Sequence, residues 1–219
     1  MELKPTRERW LLLTIAGVQF THILDFMIMM PLGPQFTRLF GISDAQFGLL
    51  VSAYTLSAGA SGLLASTYID RFGRKRLLLV LYVLFGLATL ACGVAPTYGT
   101  LMAARILAGA FGGVLSALSQ TIVADVVPFE RRGRAMGIVM TSFAVSTVAG
   151  VPLGLILAEH GGWNLPFIAI AALVGVLAIQ AARTLPPLTA HVQAAGGRTA
   201  FSGLAQVLAD PNHRWAFVY

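Results

Sequence analysis

The chain has 219 residues, 57% of them hydrophobic and 11% charged, with a formal net charge of +6. A soluble domain carries about 25% charged residues; half that level, with apolar runs longer than about 18 residues, excludes a soluble fold and places the chain in a bilayer. The positive balance does not point to nucleic acid, because the basic residues fall in short clusters between apolar runs, where membrane topology accounts for them.

Met1 to Trp10 is polar and leads into a first span, Trp10–Met30. That span is too long for a signal-peptide core, and no small-residue cleavage site follows it. Gln19, His22 and Asp25 recur along it every third residue, on roughly one helical face. The second span, Phe47–Ile69, has no charge and ends at Asp70-Arg71-Phe72-Gly73-Arg74-Lys75-Arg76, five charges and a glycine in a short loop. Leu77–Val94 is the third span. It holds Cys92, the single cysteine, so there is no disulfide framework and no thiolate metal site. Along the fourth span, Leu101–Val123, the residues Arg105, Gly109, Gly112, Ser116 and Ser119 make one seam, whose small members suit close helix packing. Asp125, Glu130, Arg131 and Arg134 follow as a second loop. In the fifth span, Ala135–Leu157, Pro152 removes a backbone donor and Gly150 and Gly154 leave room for a bend. Pro166–Ala182 is the sixth.

None of these runs alternates as barrel strands do, so the fold class is an all-α membrane protein with a six-helix bundle over residues 1–183. Pro186-Pro187 and Gly196-Gly197 mark a linker over 184–213, and 214–219 reads as the start of a seventh span, so the chain is expected to continue. Thirteen of the fifteen lysines and arginines fall on one side; Arg38 stands on the other and Arg105 inside a span. The rich side is expected to be cytoplasmic, with both termini there.

A charge at bilayer depth costs several kcal/mol unless paired or hydrated. At 1.5 Å per residue, Asp25 is expected about 10 Å in from the outer end of the first helix. Arg105 lies at a similar or slightly smaller depth in the fourth, so a buried Asp25–Arg105 pair is expected.

With six helices, a central linker and a seventh helix beginning, the chain resembles the N-terminal half of a major facilitator superfamily transporter. The loop after the second helix is similar to that superfamily's signature G-x-L-a-D-R-x-G-R-K-x-x-L: Asp70, Arg71, Gly73, Arg74, Lys75 and Leu78 match in register, while Ser66 and Tyr68 depart. The fourth-helix pattern L-x-x-x-R-x-x-q-G is met by Leu101, Arg105 and Gly109, with Ala108 in place of glutamine. Gly150-Val151-Pro152-Leu153-Gly154 is similar to the antiporter signature G-P-x-x-G-G with altered spacing. It looks more like the G-x-P-x-G form of the arabinose-efflux-permease-like branch of drug/proton antiporters.

The resemblance implies a secondary transporter working by alternating access around a midplane site, not an enzyme. Expected functions are proton-coupled efflux of a small organic compound, or proton-driven uptake of a sugar or metabolite; a third alternative is an inert half-transporter. The loop from Asp70 to Lys75 is expected to latch the two halves on the cytoplasmic side, against the alternative of mere positive-inside anchoring. Asp125, Glu130, Arg131 and Arg134 are expected either to join its charge network or to form a solvated loop. Protonating Asp25 would weaken its attraction to Arg105 and bias which side opens; His22 is a candidate relay. The competing reading is a static ion pair with His22 merely hydrogen-bonded. Expected partners are membrane lipid, a C-terminal six-helix half and a small-molecule substrate, with no nucleic acid. No cofactor or metal is expected, protons being the coupling ion, and the expected location is a bacterial cytoplasmic (inner) membrane. A channel is disfavoured by the lack of a filter loop, and an enzyme by the lack of a metal cluster, nucleophile elbow or phosphate loop.

Overall fold

A computed structural model describes residues 5–185, the side chains of Pro5, Thr6, Ser66 and Asp70 excepted. In that range the chain is helical, without strands. Helix α1 (Pro5–Met27) is followed by a short α2 (Gly33–Phe40), α3 (Asp44–Tyr68), a 3-10 turn (Ile69–Arg71), α4 (Arg74–Gly93) and α5 (Tyr98–Val126). A composite unit comes next, made of α6 (Phe129–Val145), a π-helical turn (Ser146–Gly150) and α7 (Val151–Gly161); α8 (Leu165–Thr184) closes the series. Six units are long and apolar enough to cross a membrane: α1, α3, α4, α5, α6–α7 and α8. The expected six-span, all-α architecture is present. Residues 186–219, which hold the expected linker and the seventh-span start, lie outside the described residues.

The helices stop and start where the local chemistry requires it. Ser43 caps α3 in a reciprocal box: its Oγ accepts from the Gln46 N–H, and Gln46 Oε1 accepts from the Ser43 N–H at 2.9 Å. Thr97 and Thr100 do the same for α5. Pro128 begins α6, and Pro166 sits in the first turn of α8, where a missing N–H costs nothing. Gly41 ends α2 with φ 61°, a left-handed position that favours glycine.

Packing places α5 between α3 and α4, α4 between α5 and α8, and α1 between α8 and α6–α7 while also touching α5. The core therefore gathers on α1, α4 and α5. Thr21 on α1 and Tyr82 on α4 share a hydrogen bond of 3.0 Å there, which satisfies two hydroxyls in an apolar setting. By contrast α3 and α6–α7 leave Leu56, Leu63, Leu64 and Val148 exposed.

Helix α2 was not anticipated from the sequence, where the first span ran on to Met30. Gly33-Pro34 and Gly41 bracket eight residues into a short amphipathic helix. Its Phe36 is fully buried against Phe40, Phe47, Trp163 and Phe167, with ring centroids 5.3–6.4 Å apart. This aromatic plug covers the end of the bundle opposite the arginine-rich one.

Candidate functional site

Asp25 and Arg105 meet inside the bundle, as their residue types required. Arg105 Nη1 donates to Asp25 Oδ2 at 2.9 Å and to the Asp25 carbonyl at 3.2 Å, and both side chains are 0% exposed. The guanidinium also lies over the Tyr54 ring, 4.3 Å from its centroid. Thr89 on α4 brings its buried hydroxyl to the same carboxylate, and Cys92 completes that wall. Polar capacity is left over at the pair itself: among the described residues, Asp25 Oδ1, Arg105 Nε and Arg105 Nη2 have no hydrogen-bond partner of good geometry.

Small residues make this geometry. A Cβ at Gly109 would strike the backbone of Tyr54 and the Ser57 hydroxyl, and one at Gly112 would stand 2.9 Å from Tyr54 Oη. Only because α5 is bare at these positions can α3 come close enough to lay Tyr54 across Arg105. Gly113, which the sequence reading passed over, is tighter still: a Cβ there would run into the backbone of Ala58. Ser61 adds a tie, its hydroxyl donating to the Ala110 carbonyl at 2.7 Å. Tyr54 itself carried no mark in the sequence, being one aromatic among many in an apolar helix.

The place of Asp25 in its helix differs from expectation, while Arg105 lies seven residues inside α5. Helix α1 closes at Met27, two residues past Asp25, so the carboxylate sits near a helix end and not about 10 Å inside one. Its burial is completed by the following turn and α2, where Ile28, Met29, Leu32 and Phe36 are all 0% exposed.

His22 stands apart from the ion pair. Its backbone carbonyl accepts from Tyr54 Oη at 3.4 Å, which links it to Arg105 only through the tyrosine, and its buried ring lies against the Gln19 backbone. Gln19 Oε1 and Ser119 Oγ are buried without a hydrogen-bond partner among the described residues. At Gln19 and Asp25 the row thus keeps hydrogen-bonding capacity that no described residue takes up with good geometry.

At the arginine-rich end Arg74 and Lys75 both reach backbone carbonyls at helix ends of this bundle. Arg74 is 3% exposed; its Nε donates to Asp125 Oδ2 at 3.1 Å and its Nη1 to the Ile69 carbonyl at 3.0 Å. Lys75 Nζ donates to the Leu185 carbonyl at 2.6 Å. The loop therefore ties α4 to α5 and α8 within this bundle, and Asp125 does join its network. The side chain of Asp70 lies outside the described residues. Arg71 is exposed. Gly73 has φ −60° and ψ 123°, a conformation open to any residue, so a tight turn is not what requires glycine there.

The expected second loop is not a loop. Asp125 occupies the last turn of α5, while Glu130, Arg131 and Arg134 fall in the first turns of α6, because Pro128 starts a helix immediately. Glu130 suits the positive end of that helix. Arg131 pairs with Glu8 of α1 at 3.1 Å, and Arg132 Nη2 donates to the Ala124 carbonyl at 2.7 Å.

The fifth-span bend takes the form of a π-turn. Pro152 has no N–H to return to the preceding turn, and the ladder widens over Ser146–Gly150 before α7 resumes. Ser146 Oγ donates to the Phe20 carbonyl at 3.0 Å, and Cβ atoms at Gly150 and Gly154 would press on Leu24 and Ile28. Gly150, Pro152 and Gly154 therefore seat this bent unit against α1, the helix that carries Asp25.

Six membrane-length helices packed around a fully buried ion pair define an α-helical integral membrane protein. The family model for the Major Facilitator Superfamily matches residues 15–219. The uncharacterized MFS-type transporter YhcA of Bacillus subtilis (strain 168) is 30% identical over 78% of this chain and 32% of that protein. Puromycin resistance protein pur8 of Streptomyces alboniger is 34% identical over 82% of this chain and 36% of that protein. Among solved structures, the MFS proton:xylose symporter XylE bound to 6-bromo-6-deoxy-D-glucose is alike in fold, with TM-score 0.79 and 15% identity over 98% of this chain and 52% of that one. The chain spans about a third of the length of these curated relatives. It belongs to the Major Facilitator Superfamily, a family of transporters and not of enzymes.

Proposed function

We propose that the protein is a proton-coupled secondary transporter that expels a small organic compound, with this chain supplying one six-helix half of an alternating-access carrier. The observation that carries the reading is the Asp25–Arg105 pair, fully buried yet only partly satisfied. Leaving one partner of such a pair uncompensated costs about 3–5 kcal/mol. Moving a two-state equilibrium from 1:99 to 99:1 takes about 5.5 kcal/mol. Protonation of Asp25 is therefore large enough to drive most of a conformational switch, since Arg105 must then find water or another acceptor.

Efflux is chosen over uptake on two supports. The fifth span carries the G-x-P-x-G arrangement, and pur8, a resistance protein by name, is 34% identical. The arginine-rich end faces the cytoplasm of a bacterial cell in this reading. A second six-helix half would pack against the exposed faces of α3 and α6–α7. Arg74 and Lys75 would keep this half rigid while it rocks, and Asp70 and Arg71 would bear on the other half. His22, next to Tyr54, would serve as a proton or substrate contact.

The test is transport in inside-out vesicles holding the full-length protein, with puromycin as probe. An acidic interior should drive puromycin accumulation, and Asp25→Asn should end that accumulation while leaving substrate exchange in place. Undiminished proton-driven accumulation in Asp25→Asn would remove the coupling role. Accumulation driven by the opposite gradient would replace efflux by uptake.

A further inference from the structure

On the outer side of the bundle, α4 and α8 leave a groove of about 360 Å³ between them. Val83, Leu87 and Leu90 line it from α4, and Ala171, Ala172 and Gly175 from α8. It is apolar from end to end. Its last lining residues towards the arginine-rich end are Val83 on α4 and Ala178 on α8. Arg76 precedes Val83 by two helical turns and Leu90 by almost four, so it stands on the same stripe of α4. Arg183 follows Ala172 by three turns and Ile179 by one, on the matching stripe of α8. Both arginines are exposed, and neither has a hydrogen-bond or ion-pair partner among the described residues.

The two stripes converge because the helix ends do. Lys75, next to Arg76, holds the Leu185 carbonyl two residues beyond Arg183. Helix α4 also begins there, with Arg74, Lys75 and Arg76 in its first turn, no acidic residue and no side-chain cap from Gly73. The positive end of the helix thus adds to the two side-chain charges. An apolar slot whose two helical stripes run on to a cation each at the same end of the bundle has the charge pattern of one kind of occupant.

We propose that this groove is a binding site for a single anionic phospholipid of the leaflet on the arginine-rich side. One acyl chain lies between Val83, Leu87 and Leu90 and the small residues of α8, and the phosphate is held between Arg76 and Arg183. The small residues matter for the chain. A Cβ at Gly175 would meet nothing within 4 Å, so this position contributes open groove and not helix contact. Gly86 differs, since a Cβ there would press on Val174 at 2.7 Å; it serves α4–α8 packing. The site needs no part of the Asp25–Arg105 centre and does not rest on the proposed transport reaction.

Native mass spectrometry of the full-length protein in detergent, titrated with phosphatidylglycerol and with phosphatidylcholine of matched chains, tests the site. Phosphatidylglycerol should be retained at least about tenfold more tightly. Arg76→Gln with Arg183→Gln should weaken it about 25-fold, on the order of fivefold per juxtamembrane arginine. Gly175→Leu, which fills the groove without a clash, should lower retention of both lipids. Arg38→Gln, at the other end of the bundle, should change nothing. Equal retention of the two lipids, or an unchanged affinity in the double variant, overturns the headgroup site. Undiminished binding in Gly175→Leu overturns the chain groove, and competition by soluble glycerol 3-phosphate at equal concentration would make it a plain anion site.

Discussion

At the scale of the residue, the ion pair and its ring form one unit. Removing Asp25 leaves a buried cation, removing Arg105 a buried anion, and each change is expected to cost about 3–5 kcal/mol. Asp25→Asn combined with Arg105→Gln leaves no charge at all, so the double variant should be more stable than either single one. Urea or thermal unfolding of the four proteins reads this; additive losses would show that the two residues do not interact. The sequence made the pair visible because a charge in an apolar run is conspicuous and each needed a partner at similar depth. It hid Tyr54, whose role depends on how close α3 comes to α5. Nor does a place in a motif give a glycine's φ, as Gly73 shows.

Elements tell a different story, because their boundaries obey local chemistry more than hydropathy. Hydropathy found all six spans, yet it ran the first past the end of α1 to Met30, missed α2 and read the start of α6 as loop. Apolar runs do not record where a helix stops; Gly33-Pro34, Gly41 and Pro128 do. The α3–α5 contact is the element interface most dependent on absent side chains. Gly113→Ala should push the two helices apart against Ala58, lowering stability by about 1–3 kcal/mol. It should also weaken the stacking of Tyr54 on Arg105. Gly99→Ala is the control: it lies on the same helix with nothing within 4 Å of a Cβ and should be neutral. If both variants melt alike, the close approach does not limit stability.

For the whole molecule, the arginine-rich end and the aromatic plug are fastened by different means. Arg74, Lys75 and Arg131 join helices through charged contacts that can exchange for water, whereas Phe36, Trp163 and Phe167 are held by packed rings. The asymmetry was half legible. Clustered arginines announce an end in contact with water, but the ring cluster draws on α2, α3 and α8, residues distant in sequence that only the fold assembles.

The chain's lone thiol turns this architecture into a stopwatch. Cys92 is 0% exposed and borders the Asp25–Arg105 pair, and the described chain offers an alkylating reagent no other sulfhydryl. Modification by N-ethylmaleimide therefore counts excursions in which the helices around the pair part and admit solvent. Asp25→Asn, with Arg105 left uncompensated, should raise the rate about tenfold or more, and the double neutral variant should bring it back towards the original. Equal rates in all three would mean that the thiol is reached by some opening that leaves the pair undisturbed.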